Sequence, residues 1–337
     1  MSESGKITIL TPVYDDWDSV LVLLDQLEGA LAEDKLKASV VVIDDGSPVF
    51  SDSLDFSGLN LSAIEEIEVV TLTRNLGNQR ALAVGIGHIA ATRNCDILVI
   101  MDSDLEDSPK YVPQLVAEAQ KTGNEIVFAE RTRRSEGMTF KAFYQIYKYL
   151  YKMLTGMPIS IGNFSATPGR LIKRIAGISE IWSHLPAGIM RAQVPFRTIP
   201  ATRGQRLKGQ SKMNLVSLMV HGLSGFAVHA DVVGVRIVIA VFSLGIAITT
   251  ALFLVIAKRL LFDFYVLGWT SLVTIILGVA VIQTFMAAIF MAFMILSGKN
   301  NRLIIPAIDC AKYILETRRV YPPAGGEKMH VREAHHG

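Results

Sequence analysis

The sequence contains little cysteine and little charge. Its two cysteines, Cys95 and Cys310, form no C-x-x-C motif and no disulfide framework, a pattern that fits a reducing compartment. Charged residues make up 19% of the 337 residues, below the share of about a quarter in soluble domains. This deficit predicts that part of the chain lies in lipid. The net charge of +2 leaves no strong electrostatic footprint for nucleic acid, which we do not expect as a partner.

Several motifs of nucleotide and metal enzymes are also missing. There is no G-x-x-x-x-G-K-[ST] phosphate loop and no H-E-x-x-H motif. Residues 85–90 match G-x-G-x-x-A, but they lie inside a helical run, whereas a dinucleotide fingerprint follows a strand. Their small side chains instead predict a helix packed closely on a sheet. The amino-terminal residues lack the basic-then-apolar form of a signal peptide, so we expect the first domain to start in the cytoplasm.

Short apolar segments alternate with amphipathic ones over the first part of the chain. This alternation predicts β-α-β units and a mostly parallel sheet, in which ligands bind at the carboxyl ends of the strands. The acidic residues Asp44, Asp45, Asp102 and Asp104 all fall at such ends. Strands are predicted within residues 6–14, 38–48, 67–75, 95–102 and 124–131, and helices within 15–33, 78–93 and 109–123.

Two long apolar stretches follow, at about 232–256 and 266–296. Each exceeds the roughly 20 residues needed to cross a bilayer. Positive residues flank the pair, which by the positive-inside rule predicts cytoplasmic flanks. Residues 138–156 mix aromatic residues with lysines and predict a helix at the membrane surface, with a core-facing helix as the alternative. We therefore predict a cytoplasmic catalytic domain over 1–215 that includes this helix, a membrane domain over 216–300 and a cytoplasmic tail over 301–337.

Carboxylates at strand ends suggest two kinds of binding. Asp102 and Asp104 follow an apolar strand, and hard cations such as Mg²⁺ take oxygen ligands from one or two carboxylates and the rest from phosphate and water. A solvated acidic loop that caps the helix near Pro109 is the alternative. At Asp44 and Asp45, one carboxylate can accept hydrogen bonds from a base or a ribose, although an Asx-turn explains the same pattern.

Basic residues form the remaining cluster of candidate site residues. They fit a phosphate clamp, because arginine binds phosphate oxygens in bidentate fashion and lysine acts as a point charge. A positive flank that only touches lipid headgroups is the alternative, and both interpretations can hold together. The residues concerned are Arg131, Arg133, Arg134, Arg203, Arg206, Lys208 and Lys212.

Four segments, in this order and spacing, resemble glycosyltransferase family 2: TPVYDDWDSV, VVIDDGSP, RNLGNQRALAVGIGHIAA and VIMDSDLEDSP. The later segment RGQRLKGQSKMN, followed by two apolar stretches, is similar to the polyprenyl-phosphate branch of that family. The resemblance implies a GT-A fold, which is an α/β, Rossmann-like domain with a mostly parallel sheet, followed by two transmembrane helices. It also implies a nucleotide-sugar donor, a polyprenyl-phosphate acceptor, Mg²⁺ or Mn²⁺, a bacterial inner-membrane location and a homo-oligomer, with a tetramer as the family's form.

The resemblance also implies roles for individual residues. Pro12, Tyr14, Asp44, Asp45 and Asp102 are expected to bind the nucleotide sugar. Asp102 and Asp104 are expected to hold the metal, together with Glu106, which stands where the branch usually has Gln. Asp104 is also expected to act in catalysis with three basic residues that bind the acceptor phosphate, namely Arg131, Arg206 and Lys212.

Two alternative functions remain open on the sequence alone. A processive polysaccharide synthase shares the motifs up to Asp104, but it carries a Q-x-x-R-W motif and further spans, and no Q-x-x-R-W occurs here. A non-catalytic membrane scaffold with the same fold is the other possibility. Retention of Asp102, Asp104 and the basic residues favours an enzyme over a scaffold.

Overall fold

The computed structural model of the chain describes residues 5–48, 56, 61–131, 138–157, 161–202, 204, 224–262, 268–299 and 303–322. The chain divides into two compact units. The first comprises Met1–Gln145, Ile159–Val228 and Leu303–Gly337, and the second comprises Ile146–Pro158 and His229–Arg302.

A single sheet organises the described part of the first unit. Its strand order is β7-β5-β6-β4-β1-β2-β3-β8. Only β6 and β8 run antiparallel to their neighbours, so the prediction of a mostly parallel α/β sheet is confirmed. The strands are β1 (Ile7–Val13), β2 (Ala38–Asp44), β3 (Ile64–Leu72), β4 (Ile97–Ile100), β5 (Ile126–Arg131), β6 (Ser165–Pro168), β7 (Phe196–Ala201) and β8 (Ile314–Tyr321).

Helices cover both faces of this sheet because the central strands are apolar on both sides. Ile9 lies in a core that the sheet shares with the helices Trp17–Glu33 and Val112–Thr122. The adjacent Leu10 lies in a second core, which the sheet shares with the helices Asn78–Thr92, Gly169–Ala176 and Leu185–Arg191. All five predicted strands and three predicted helices are present. The helices of this unit are α1 (Trp17–Glu33), α2 (Asn78–Thr92), α3 (Val112–Thr122), α5 (Gly169–Ala176), α6 (Leu185–Arg191) and α9 (Pro306–Asp309), and α4 (Met138–Thr155) starts in it.

The G-x-G-x-x-A match lies within α2, as expected, and its two glycines serve packing. A Cβ at Gly85 would lie 2.6 Å from Leu10 Cδ1 and 2.9 Å from Ile43 Cγ1, so Gly85 lets the helix approach the sheet. A Cβ at Gly87 would lie 2.3 Å from the carbonyl oxygen of Pro306. The absence of a side chain at Gly87 therefore lets α9 pack closely on α2, although α9 lies more than two hundred residues later in the sequence.

The carboxyl-terminal region corrects the prediction that 301–337 is only a tail. After the apolar helices the chain returns to the first unit, where β8 pairs antiparallel with β3 and α9 packs on α2. The guanidinium of Arg319 contacts Glu66 on β3 with nitrogen–oxygen distances of 3.0 Å. Arg318 and Arg319 belong to the positive flank that follows the apolar stretches, and they lie on an edge strand that the sequence does not predict. Residues 323–337 lie outside the described residues.

The second unit contains two helices suited by length and composition to cross a membrane. They are α7 (Ala230–Phe262), which is longer than predicted, and α8 (Trp269–Lys299), which has the predicted length but begins and ends three residues later. Large apolar side chains point away from the described protein, such as Phe242 and Phe285 at 63% and 65% exposure. Hydroxyl groups inside the helices donate to carbonyls one turn back, including Ser243 to Ile239 and Thr284 to Ala280, as an apolar environment requires.

The predicted surface helix is α4, and the chain division falls inside it. Its carboxyl-terminal half groups with the apolar helices and not with the first unit, in which the sequence predicts it to lie. Arg236 is the single charge of the first predicted span, and its guanidinium donates to the Met153 carbonyl at 2.6 Å. Ile146, Tyr149, Leu150 and Met153 are exposed, a property that fits the membrane-surface prediction.

Candidate active site

Three adjacent strands bring the predicted acidic residues to one edge of the sheet. β1 lies between β4 and β2, and all three are parallel, so their carboxyl ends lie together. Val13 is paired with Asp44 at the end of β2, and the Met101 amide donates to the Leu10 carbonyl at the end of β4. The sheet topology thus joins the loop after β1, the Asp44–Asp45 pair and the loop that begins at Asp102. We call residues 102–107 the acidic loop.

Asp44 is a buried carboxylate with one oxygen in use. Its Oδ1 accepts from the Ser47 amide at 3.0 Å, and Ser47 Oγ accepts from the Asp15 amide at 2.9 Å. Its Oδ2 is buried and has no hydrogen-bond partner among the described residues. Burial raises the pKa of this carboxyl above its ordinary value, although the Ser47 hydrogen bonds work the other way. Asp44 therefore holds an unused acceptor, as a ligand-binding residue would.

Asp45 has a different set of contacts from Asp44. Its Oδ1 accepts from the Leu76 amide at 2.7 Å and its Oδ2 from the Gly77 amide at 2.8 Å. Burial raises its pKa, against the effect of these two amides. Both oxygens thus serve the loop that leads into α2. The sequence predicts Asp45, like Asp44, as a nucleotide ligand, whereas its contacts are those of a loop anchor.

The two other predicted nucleotide residues lie at the end of β1. Pro12 is buried within the strand, opposite Ile43. Tyr14 follows the strand and is 45% exposed, an unusual position for a large aromatic ring in the folded unit. Of the two, Tyr14 is the one whose side chain is available to a ligand in this structure.

Hydrogen bonds within and around the acidic loop fix its shape. The Asp102 amide donates to Asp107 Oδ2, and the Glu106 amide donates to Asp104 Oδ1, each at 3.1 Å. Leu105 has a φ of 65°, a left-handed conformation uncommon for such a residue. Asp107 is buried and accepts from the Asp102 amide, so it supports the end of β4. The loop is thus held in one arrangement with Asp102 and Asp104 partly exposed.

A metal ion fits this loop only with help from a ligand. Among the residues that the structure describes, no three His, Cys, Asp or Glu side chains are grouped as a metal site. The predicted set of Asp102, Asp104 and Glu106 is therefore not a preformed three-carboxylate site. Two carboxylates are nevertheless enough for Mg²⁺ or Mn²⁺ when phosphate and water complete the shell.

The segment after β7 lies against the acidic loop. The Gly204 amide donates to the Glu106 carbonyl at 2.9 Å, and a Cβ at Gly204 would lie 2.2 Å from the Leu105 carbonyl oxygen. β7 ends at Ala201, which is paired with Arg131 at the end of β5. The backbone of Arg131 therefore lies at the same edge as the acidic residues. Arg206 is two residues beyond Gly204 in the sequence.

Most of the predicted basic residues cannot be placed. The side chain of Arg131 lies outside the described part of the structure, and so do six whole residues. These are Arg133, Arg134, Arg203, Arg206, Lys208 and Lys212.

The fold and the site define a class of protein. A mostly parallel sheet with carboxylates at the ends of two central strands, followed by two long apolar helices, has the GT-A arrangement that the sequence predicted. The family model "Glycosyl transferase family 2" matches residues 8–176, half of the chain. The chain belongs to glycosyltransferase family 2.

The chain is similar in sequence to proteins that are named as sugar transferases. The chain is 23% identical over 337 residues to an uncharacterized glycosyltransferase, YkcC, of Bacillus subtilis, covering 95% of this chain and 98% of that one. It is 27% identical over 226 residues to undecaprenyl-phosphate 4-deoxy-4-formamido-L-arabinose transferase of Klebsiella pneumoniae, covering 64% of this chain and 65% of that one. The predicted resemblance to the polyprenyl-phosphate branch is confirmed.

Solved structures match the chain at low sequence identity. Glucosyl-3-phosphoglycerate synthase from Mycobacterium tuberculosis, in complex with Mn²⁺, UDP-glucose and phosphoglyceric acid, has 16% identity and a TM-score of 0.48. The match covers 68% of this chain and 80% of that chain.

Proposed function

We propose that the chain transfers a sugar from a nucleotide-sugar donor to a polyprenyl phosphate, with inversion at the anomeric carbon. The observation that carries the proposal is the meeting of Asp44, with its unused buried oxygen, and the acidic loop at one sheet edge. Two long apolar helices in the same chain suit a lipid acceptor. The arabinose transferases, whose name specifies undecaprenyl phosphate, support this acceptor class.

In this proposal the donor lies along the edge from β2 to β4. Asp44 Oδ2 accepts a hydrogen bond from the base or ribose, and Tyr14 lies beside them. The diphosphate lies over Asp102 and Asp104. These two carboxylates would hold Mg²⁺ or Mn²⁺, which when bound neutralises charge on the leaving diphosphate. Asp45 keeps its role in the loop before α2.

The acceptor needs no protein base in this reaction. A polyprenyl phosphate is ionised at neutral pH, so its oxygen attacks the anomeric carbon directly and the nucleoside diphosphate leaves from the opposite face. The chain must then align donor and acceptor and offset negative charge. Arg131, Arg206 and Lys212 are the proposed phosphate contacts. The contact of Gly204 with the Glu106 carbonyl supports this assignment, because Gly204 lies at the acidic loop and precedes Arg206 by two residues in the sequence.

Location and assembly belong to the same proposal. The lipid product forms at the cytoplasmic face of a bacterial inner membrane, and the chain works as a homo-oligomer, as its resemblance to the family implies. A processive synthase is disfavoured because the chain lacks Q-x-x-R-W and its described residues contain two candidate spans. A scaffold is disfavoured by the unused oxygen of Asp44, which is costly to keep without a ligand.

A transfer assay tests this function. Full-length protein in detergent is given undecaprenyl phosphate and, in turn, UDP- and GDP-sugars, and the lipid product is identified by mass spectrometry. One donor should yield a lipid-linked monophosphate sugar with Mg²⁺ or Mn²⁺, and excess EDTA should abolish it. Absence of a lipid product with every donor, or full activity in EDTA, would contradict the proposal.

Asp104→Asn sharpens the assay because it removes charge while keeping volume. Loss of one group that stabilises developing charge typically costs about 100- to 1,000-fold in rate. The exposed Asp25 on α1 provides the matched control, and Asp25→Asn should transfer sugar at the wild-type rate. Circular dichroism would verify that both variants are folded.

A further inference from the structure

The first residue of α2 reaches the acidic loop. Asn78 Nδ2 donates a hydrogen bond to Asp102 Oδ1 at 3.1 Å. Asn78 is exposed and Asp102 is partly exposed, so the pair lies on the surface of the edge where the donor is proposed to bind. The contact occupies one oxygen of Asp102 and restricts rotation of its carboxylate.

The position of Asn78 is fixed by the loop before it. Asp45 holds the amides of Leu76 and Gly77 with both oxygens, at 2.7 and 2.8 Å. Gly77 has a φ of 90°, a conformation that favours glycine. Gly46 allows close contact from the other side, because a Cβ there would lie 2.6 Å from the Arg74 carbonyl carbon. The start of α2 is therefore pinned to the end of β2.

Gln79, the next residue, anchors the same turn to two other elements. Its Nε2 donates to Asn163 Oδ1 at 3.1 Å, and its Oε1 accepts from the Leu185 amide at 2.7 Å. Asp102 is held independently through its own amide, which donates to Asp107. The backbone is thus fixed at both partners of the Asn78–Asp102 hydrogen bond, so the contact can set the direction of the Asp102 side chain.

We propose that Asn78 is a positioning residue that orients the Asp102 carboxylate for the cation and the donor diphosphate. The inference rests on the proposed function and deepens it. By engaging Oδ1, the amide leaves Oδ2 directed towards the ligand. Partners of this kind, which bind a metal ligand and not the metal, typically change metal affinity about 10- to 100-fold.

A binding experiment tests this role without relying on turnover. Mn²⁺ is titrated by calorimetry into full-length protein in detergent saturated with UDP, and in a second series with GDP. Asn78→Leu keeps the branched shape of the side chain and removes the hydrogen-bond donor, so Mn²⁺ should bind about 10-fold more weakly. Asn78→Gln retains an amide and should recover part of the affinity. Asn94→Leu, an exposed asparagine just beyond the other end of α2, is the matched control and should bind as wild type.

A second background shows whether the effect passes through Asp102. In Asp102→Asn protein, adding Asn78→Leu should cause no further loss of Mn²⁺ affinity. Equal losses in both backgrounds, or wild-type affinity in Asn78→Leu, would overturn the inference while leaving the proposed function standing. If the wild-type protein fails to bind Mn²⁺ both in the UDP series and in the GDP series, the proposed function itself fails.

Discussion

At the scale of single residues, burial of the carboxylates of the candidate site costs folding free energy. A buried acceptor without a partner costs about 1–3 kcal/mol. Asp44 keeps such an oxygen in the middle of a well-packed edge, with its pKa raised by burial. Asp45, its neighbour, uses both oxygens within the protein. In the proposed function Asp44 serves the ligand, whereas Asp45 serves the fold.

Asp44→Asn should therefore separate stability from binding. A carboxyl with a raised pKa binds its proton more tightly in the folded state, so its stabilising protonation is complete below the unfolded pKa and is lost as the pH rises through the folded pKa. In the absence of nucleotide sugar, the free energy of unfolding of the variant should therefore rise relative to that of wild type as the pH increases through the raised pKa of Asp44. Urea unfolding of the detergent-solubilised protein measures this difference, with Asp25→Asn as the surface control.

The same variant should lose nucleotide affinity. Removing a charged acceptor that contacts the base or ribose should weaken UDP or GDP binding about 10-fold or more. A pH-independent stability difference between Asp44→Asn and wild type would contradict the assigned environment of Asp44. Unchanged nucleotide binding would contradict its role as a ligand.

The sequence predicted the carboxylates of the site but not their supports. Asp44, Asp102 and Asp104 stand at strand ends, where periodicity and the rule for parallel sheets locate ligands. Asn78 and Asp107 contact Asp102 from a helix start and from a loop, and no spacing rule reports such contacts. The motif that contains Asn78 was recognised, but its chemistry depends on the loop geometry set by Asp45 and Gly77.

At the scale of elements, the sequence predicted the strands that are apolar and missed those that are polar. β1, β2 and β4 are almost wholly buried on both faces, and their sequences are largely apolar. β7 contains Arg197 and Pro200, and β8 contains two arginines, so neither has the composition of a strand. Arg319 is tolerated in β8 because Glu66 on β3 pairs with it, a partner 253 residues away.

Gly87→Ala should loosen the carboxyl-terminal elements from α2. A Cβ at this position would lie 2.3 Å from a backbone oxygen of α9, which cannot rotate away as a side chain can. The strain should cost about 1–3 kcal/mol, more than the ~1 kcal/mol that alanine gains in a helix. Hydrogen exchange should accelerate in residues 303–322, and the unfolding midpoint should fall.

Gly29→Ala on α1 is the control for this change. Nothing lies within 4 Å of a Cβ at Gly29, so alanine should leave stability unchanged or raise it by up to ~1 kcal/mol. Equal effects of the two substitutions would show that the close approach of α9 to α2 is wrong.

At the scale of the whole molecule, the return of the chain to its first sheet constrains its path through a membrane. β3 precedes the two apolar helices and β8 follows them, yet the two strands pair in one sheet. Both must therefore lie on the same side of any bilayer that the chain crosses. The number of crossings is then even, which agrees with two candidate spans. The positive residues of both flanks favour the cytoplasmic side.

We therefore predict that both termini are cytoplasmic and that only the segment between the helices is outside. In intact cells, a membrane-impermeant maleimide should label Asp263→Cys, and should label Ser4→Cys and Glu327→Cys only after lysis. Cys95 and Cys310 are free but buried, so they should add little background. Labelling of both termini in intact cells would show that the orientation is the reverse of the predicted one, with the number of crossings still even. Labelling of one terminus alone would be incompatible with the pairing of β3 and β8, because a folded sheet cannot have its strands on opposite sides of a membrane.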